Sequence, residues 1–160
     1  MDLILWRHAQ AHALSGDTLT VHDPALDLAR TLTAKGDRQA ERMAAWLNRR
    51  LADATRVLVS PAVRTQQTAR ALGRTFKTVG NLAPDASVDD LIAAARWPVA
   101  KDPVLIVGHQ PALGLLAARL MTGQDHPWAM RKGAVWWLRG RDKEGTLEVT
   151  LHAVQSPEFL

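Results

Sequence analysis

The stretch Leu3-Ile4-Leu5-Trp6-Arg7-His8-Ala9-Gln10-Ala11 changes character once, at Arg7. Four apolar residues form a short β-like run, and polar chemistry begins abruptly at its carboxyl end. The pattern recurs twice. Val57-Leu58-Val59 leads into Ser60-Pro61 and then Arg64, and Val104-Leu105-Ile106-Val107 leads into Gly108-His109. In an open α/β sheet, ligands bind just outside the carboxyl ends of the strands. Three such strands in one sheet would bring two guanidiniums and two imidazoles to one spot. Arg presents a rigid fork of donors matched to phosphate oxygens. Imidazole attacks phosphorus or passes a proton near neutral pH. The set predicts a phosphoryl-transfer site.

Working outward, the elements follow the order β-α-β-α-β-α-β-α-β-β. Thr33 suits an N-cap, opening a helix to about Leu51 whose apolar face is Ala40, Met43, Ala44, Leu47 and Leu51. After the Arg56–Val59 strand, Ser60-Pro61 is expected to start a helix, with Ser as cap and Pro at its first position, ending at Gly73. Phe76 to Val79 is a weakly marked third strand. Ser87 can cap a short helix whose first turn holds Asp89 and Asp90. The wholly apolar Val104–Val107 run is expected to be buried on both faces. A helix carrying Leu113, Leu116, Ala117 and Leu120 follows, closed by Gly123. Two final strands, Ala134–Leu138 and Leu147–Leu151, flank a turn around Asp142–Gly145. We therefore expect a three-layer α/β/α sandwich with a mostly parallel central sheet and a C-terminal antiparallel edge hairpin.

The chain of 160 residues fits one domain, spanning 1–160. The 20 Lys+Arg against 16 Asp+Glu leave +4, interspersed rather than gathered into a stripe. That biases the protein mildly toward anionic partners and speaks against nucleic acid. No cysteine is present, which rules out disulfides and thiolate chemistry. No apolar stretch approaches the roughly 20 residues that span a bilayer, and no leader pattern stands at the start. We expect a cytoplasmic monomer that uses no membrane and no cofactor.

The segments LILWRHAQA, VLVSPAVRTQQTA and LIVGHQPAL, in this order and at strand ends, resemble the histidine phosphatase superfamily, with its phosphoglycerate-mutase-like fold. LTAKGDRQA and the terminal SPEFL are similar to the short, SixA-type phosphohistidine phosphatases. The resemblance implies that His8 attacks phosphorus and carries a phosphohistidine intermediate. It also implies that Arg7, Arg64 and His109 bind the phosphoryl oxygens. Such a nucleophile needs a neutral ring whose other nitrogen donates to a fixed acceptor, for which a backbone carbonyl would serve.

Two positions depart from the family pattern: Ala9 stands where most relatives have glycine, and Gln10 where they often have an acid. Ala9 would be strained if its φ were positive. Gln10 can only hydrogen-bond, and it joins Arg30 as a candidate substrate contact. The family's general acid has no clear counterpart; Asp85 is the candidate, while Asp89 and Asp90 suit a helix start. An imidazole leaving group can be protonated near pH ~6.5, whereas an alkoxide usually needs a positioned acid. The gap therefore favours a P–N substrate.

His12, Asp17, His22, Asp23 and Asp27 match no familiar metal-ligand spacing, so no metal is expected and the segment is read as a solvated loop bordering the site. Trp97 and Trp128 could line its mouth. The stretch between the third and fourth strands is too short for a helical cap, which leaves an open site. By resemblance the partner is a phosphorylated protein, a histidine-containing phosphotransfer domain. The alternatives are a small phosphate ester as substrate, or a phosphate-binding module without turnover.

Overall fold

A computed structural model describes residues 1–14 and 23–160; Asp17 and His22 lie outside the described residues. Six strands form one sheet in the order β3-β2-β4-β1-β5-β6. Strand β1 (Asp2–Arg7) lies between β4 (Val104–Gly108), its parallel neighbour, and β5 (Val135–Lys143), its antiparallel one. On the far side of β4 lie β2 (Arg56–Val59) and the two-residue β3 (Lys77–Thr78), both parallel. The edge strand β6 (Thr146–Gln155) pairs antiparallel with β5.

Alternation along β1 divides the core. Leu3 and Leu5 join Leu58, Val104 and Ile106 under α4 (Val88–Ala95) and α5 (Ala112–Thr122). Ile4 and Trp6 join Val57, Val59, Leu105 and Val107 under α2 (Ala34–Asn48) and α3 (Val63–Arg70). Residues with a period of two thus feed two faces, and helices close both, giving the expected three layers. Strand β4 is buried along its whole length. The caps at Thr33 and Ser87 form as read, Ser87 in a reciprocal capping box with Asp90, and Gly123 ends α5 at φ 80°. No helix among the described residues is long and apolar enough to cross a membrane.

Three local expectations are corrected. The helix expected from Ser60-Pro61 starts at Val63, capped by Ala62 without a side-chain bond, because the Ser60 hydroxyl lies 2.7 Å from the His109 ring. The final strands run longer than their apolar cores suggest. Arg139, Arg141 and Lys143 carry no apolar signal, yet the ladder continues through them to a two-residue turn, with Glu144 and Gly145 both at positive φ. Leu147 and Leu151 remain about two-fifths exposed, since β6 has no neighbour on its outer side. Inside the segment read as a loop, a short helix α1 (Pro24–Leu28) forms, its first amides bonded to the Asp23 carboxylate.

Close backbone approach fixes the turn after β4. A Cβ on Gly114 would overlap the Trp128 carbonyl oxygen, and the Gln110 side chain bridges that oxygen and the Gly114 amide. Gly114→Ala is expected to destabilise the protein by about 1–3 kcal/mol, lowering the melting temperature by roughly 5 °C. Gly80→Ala, which meets open space, should leave it within roughly 1 °C. Thermal unfolding followed by circular dichroism checks the pair.

Candidate active site

Parallel pairing sets the site. Arg7 lies level with Gly108 and Val59 with Val107, so β1, β4 and β2 end together. The ladder continues one step beyond the strands, through the His8 amide to the Gly108 carbonyl and the Ser60 amide to the Val107 carbonyl. His8, His109 and Ser60 therefore emerge side by side, all buried. The two imidazoles lie 5.4 Å apart, centroid to centroid. In the first turn of α3, Arg64 stands beside the same end and is 3% exposed.

Each of these side chains is held by one part and left open at another. His8 Nδ1 is 2.7 Å from the Ala9 carbonyl oxygen, which can only accept. The proton therefore sits on Nδ1, and Nε2 keeps its lone pair. Arg7 donates from Nη1 to the Met130 carbonyl at 2.7 Å, and its buried Nε–H has no acceptor among the described residues. Arg64 donates from Nη1 to the Asp27 carbonyl and from Nη2 to the Asp27 carboxylate, at 2.7 and 3.2 Å. Its Nε is likewise buried without a partner, as is Nδ1 of His109. Buried polar groups are nearly always paired, so three unpaired ones on side chains around His8 need a common explanation. A tetrahedral oxyanion supplies acceptors for both arginine nitrogens, and for His109 if its Nδ1 carries the ring proton.

The charges agree. Burial, reinforced by Arg64, Arg7 and Arg30 and only partly offset by the Ala9 carbonyl, pulls His8 down to about 3. Burial, then Arg64 and the His8 ring, pull His109 to about 3 as well. Both rings are neutral at pH 7, and a neutral ring is what nucleophilic attack requires. Burial also lowers Arg7 and Arg64 from their ordinary values, with Arg64 acting on Arg7 and Arg30 on Arg64. A bound anion would relieve that mutual repulsion.

The structure brings together Arg7, His8, Arg64 and His109, with Arg30 beside them. Arg30 donates to the His12 carbonyl and pairs with Asp27 at 3.1 Å. Asp27, read as a solvated loop residue, instead clamps both Arg64 and Arg30. Its three-residue spacing from Arg30 was the available signal, and only the fold reveals the contact with Arg64. The Gln10 side chain is engaged elsewhere: its Oε1 accepts from the Thr33 hydroxyl before α2, while the Gln10 backbone N–H donates to Gln39 Oε1. Asp85 is exposed and lines a cleft with Asp27, Pro24, Leu28 and Pro84. Trp97 packs under Gly140, whose amide bonds the Met1 carbonyl at the opposite end of β1, so it does not line the site. Trp128 touches it indirectly, through Gln110. Ala9 is unstrained, because the only non-glycine residues at positive φ among those described are Arg96 and Glu144.

A mostly parallel α/β sheet with these groups at its carboxyl edge defines a phosphatase of the phosphoglycerate-mutase-like class. Comparison with known proteins is specific: the model of the histidine phosphatase superfamily (branch 1) matches residues 3–91, and the chain belongs to that family. It is 31% identical over 136 residues to phosphohistidine phosphatase SixA of Escherichia coli (strain K12), covering 79% of this chain and 78% of that protein. It is also 33% identical over 147 residues to an uncharacterized protein of Picosynechococcus, covering 87% and 85%. The structure of protein histidine phosphatase SixA complexed with tungstate superimposes with a TM-score of 0.74 at 27% identity, over 99% of each chain.

The buried neutral rings make stability depend on pH. Unfolded, His8 and His109 take up protons below about 6.5; folded, they do so only near 3. The unfolded chain binds the extra protons, so stability falls as pH drops from 7 to 5, by on the order of 1–2 kcal/mol per ring. Melting curves at pH 7 and 5 should show the loss in wild type, and a His8→Asn/His109→Asn variant should show much less of it.

Proposed function

We propose that the protein is a metal-independent phosphatase that works through His8 and removes the phosphoryl group from phosphohistidine in a protein partner. The observation that carries this reading is the set of three buried, unpaired nitrogens, Arg7 Nε, Arg64 Nε and His109 Nδ1, on side chains that surround His8. The His8 Nε2 lone pair attacks phosphorus while the donors take the phosphoryl oxygens. The bond from phosphorus to the substrate nitrogen breaks, and its electron pair stays on an imidazole already protonated at its other nitrogen. Water then attacks the phosphorylated His8, releasing inorganic phosphate and returning the neutral ring.

Positive charge on the phosphoryl oxygens comes from two fixed guanidiniums, the part a divalent cation plays in other phosphatases. The SixA relative in complex with tungstate supports the same reading, since tungstate is a tetrahedral oxyanion with the shape of phosphate. The P–N preference rests on the acid. Asp27 is held below its ordinary value by its hydrogen bond to Arg30 and by the charge of Arg64, against the opposing effect of burial. It is ionised and committed to those two arginines, and thus unsuited to protonating an alkoxide. Asp85 stays the one candidate, at the cleft wall. A single domain without a cap, acting in the cytoplasm as a monomer, fits a substrate borne on another protein.

The test is phosphate release from a phosphohistidine-bearing protein domain, with p-nitrophenyl phosphate and a sugar phosphate alongside, each with and without EDTA. We expect turnover of the protein substrate well above the sugar phosphate, unaffected by EDTA and lost by at least about 10³-fold in His8→Ala. Turnover of sugar phosphates at an equal rate would favour a small-molecule phosphomonoesterase. Retained turnover in His8→Ala would refute the nucleophile.

A further inference from the structure

Ser60 is fully buried, and its hydroxyl makes two contacts: His109 Nε2 at 2.7 Å and the Ala62 amide at 3.3 Å. A serine hydroxyl has one proton to give and two lone pairs. The Ala62 N–H can only donate, so it occupies a lone pair. The proton must then go to the other neighbour, because no further acceptor for the Ser60 hydroxyl lies within hydrogen-bond reach among the described residues. His109 Nε2 is therefore the acceptor, and the ring proton belongs on Nδ1.

The reverse arrangement fails twice. A proton on Nε2 would leave the buried hydroxyl hydrogen without an acceptor, at about 1–3 kcal/mol. It would also leave the buried Nδ1 as a bare lone pair with no donor among the described residues, a group that would repel a phosphoryl oxygen rather than bind it.

From this geometry we propose that Ser60 is a positioning residue: its hydroxyl fixes the His109 tautomer with the proton on Nδ1, making that nitrogen a donor to the phosphoryl group. The inference deepens the phosphatase reading and rests on it for its kinetic part. It also explains why the helix after β2 begins two residues late, since a Ser60 side chain engaged by His109 does not cap α3. In the same way that the Ala9 carbonyl sets the proton on His8, Ser60 sets it on His109. The site then holds one imidazole with its lone pair forward and one with its N–H forward.

The test has two arms. In the first, the ring nitrogens of His109 are read by ¹⁵N NMR in the unliganded wild type at pH 7, assigned by loss of the signals in His109→Gln. A pyrrole-like Nδ1 and a pyridine-like Nε2 are expected; the opposite pattern would overturn the proposal whether or not the protein turns anything over. In the second, Ser60→Ala is expected to lower kcat by about 10- to 100-fold with little change in KM, and its His109 signals to shift toward the other tautomer. Removing an oxyanion donor outright costs about 10²–10³-fold, so loosening one costs less. Ser60→Thr, which keeps the hydroxyl, should recover most of the rate. A Ser60→Ala protein with unchanged kcat and unchanged ring signals would also overturn the proposal. Failure of the wild type on every phosphorylated substrate would count against the phosphatase reading alone, because the ring measurement decides the tautomer independently.

Discussion

Everything in the site depends on where β4 lies. It runs parallel between β1 and β2, and the three strands end within one residue of each other. One hydrogen bond beyond the ladder on each side then fixes His8 against Gly108 and Ser60 against Val107. A slip of one residue in that register would send each of the three side chains to the opposite face of the sheet. What holds the register is apolar. Leu105 and Val107 must meet α2 and α3 on one face, while Val104 and Ile106 must meet α4 and α5 on the other. The spacing of these side chains thus follows from the packing of the core on both faces.

On that frame sits an electrostatic arrangement that is unfavourable until it binds something. Two guanidiniums and two imidazoles are drawn out of water, with Arg30 adding a third positive charge and one carboxylate, Asp27, answering them. The imidazoles respond by staying neutral. The guanidiniums cannot, and they are anchored by carbonyl oxygens and by Asp27 instead. Each anchor takes the end of the arginine fork and leaves its Nε edge free. Preorganisation of this kind puts the cost of orienting donors into folding rather than into the reaction.

Much of this was legible in the chain. The strand Arg56–Val59 has the bounds its apolar run suggests, and Arg7, His8, Arg64 and His109 stand at strand ends or one helical turn beyond, where α/β sheets place ligands. The capping residues Thr33 and Ser87 announce their helices in the same local way. What was hidden depended on contacts between distant segments. Asp27 looks like any loop carboxylate until α1 is laid across Arg64, and Ser60 looks like a helix cap until β4 brings His109 within reach. Gln10 follows His8 closely in sequence, yet Thr33 captures its side chain. The hairpin's outer half was missed because backbone pairing, rather than side-chain burial, holds Arg139–Lys143 in the sheet.

The proposed chemistry turns on a covalent bond between His8 Nε2 and phosphorus. The most direct measurement is to mix the protein with a phosphohistidine-bearing domain, quench within milliseconds in alkali, and locate any added phosphoryl group by mass spectrometry of the peptides. An acid-labile, alkali-stable phosphoryl group is expected on the His8 peptide and absent from His8→Ala. Rapid turnover with no phosphorylated His8 at any quench time, or a phosphoryl group carried on another residue, would contradict it.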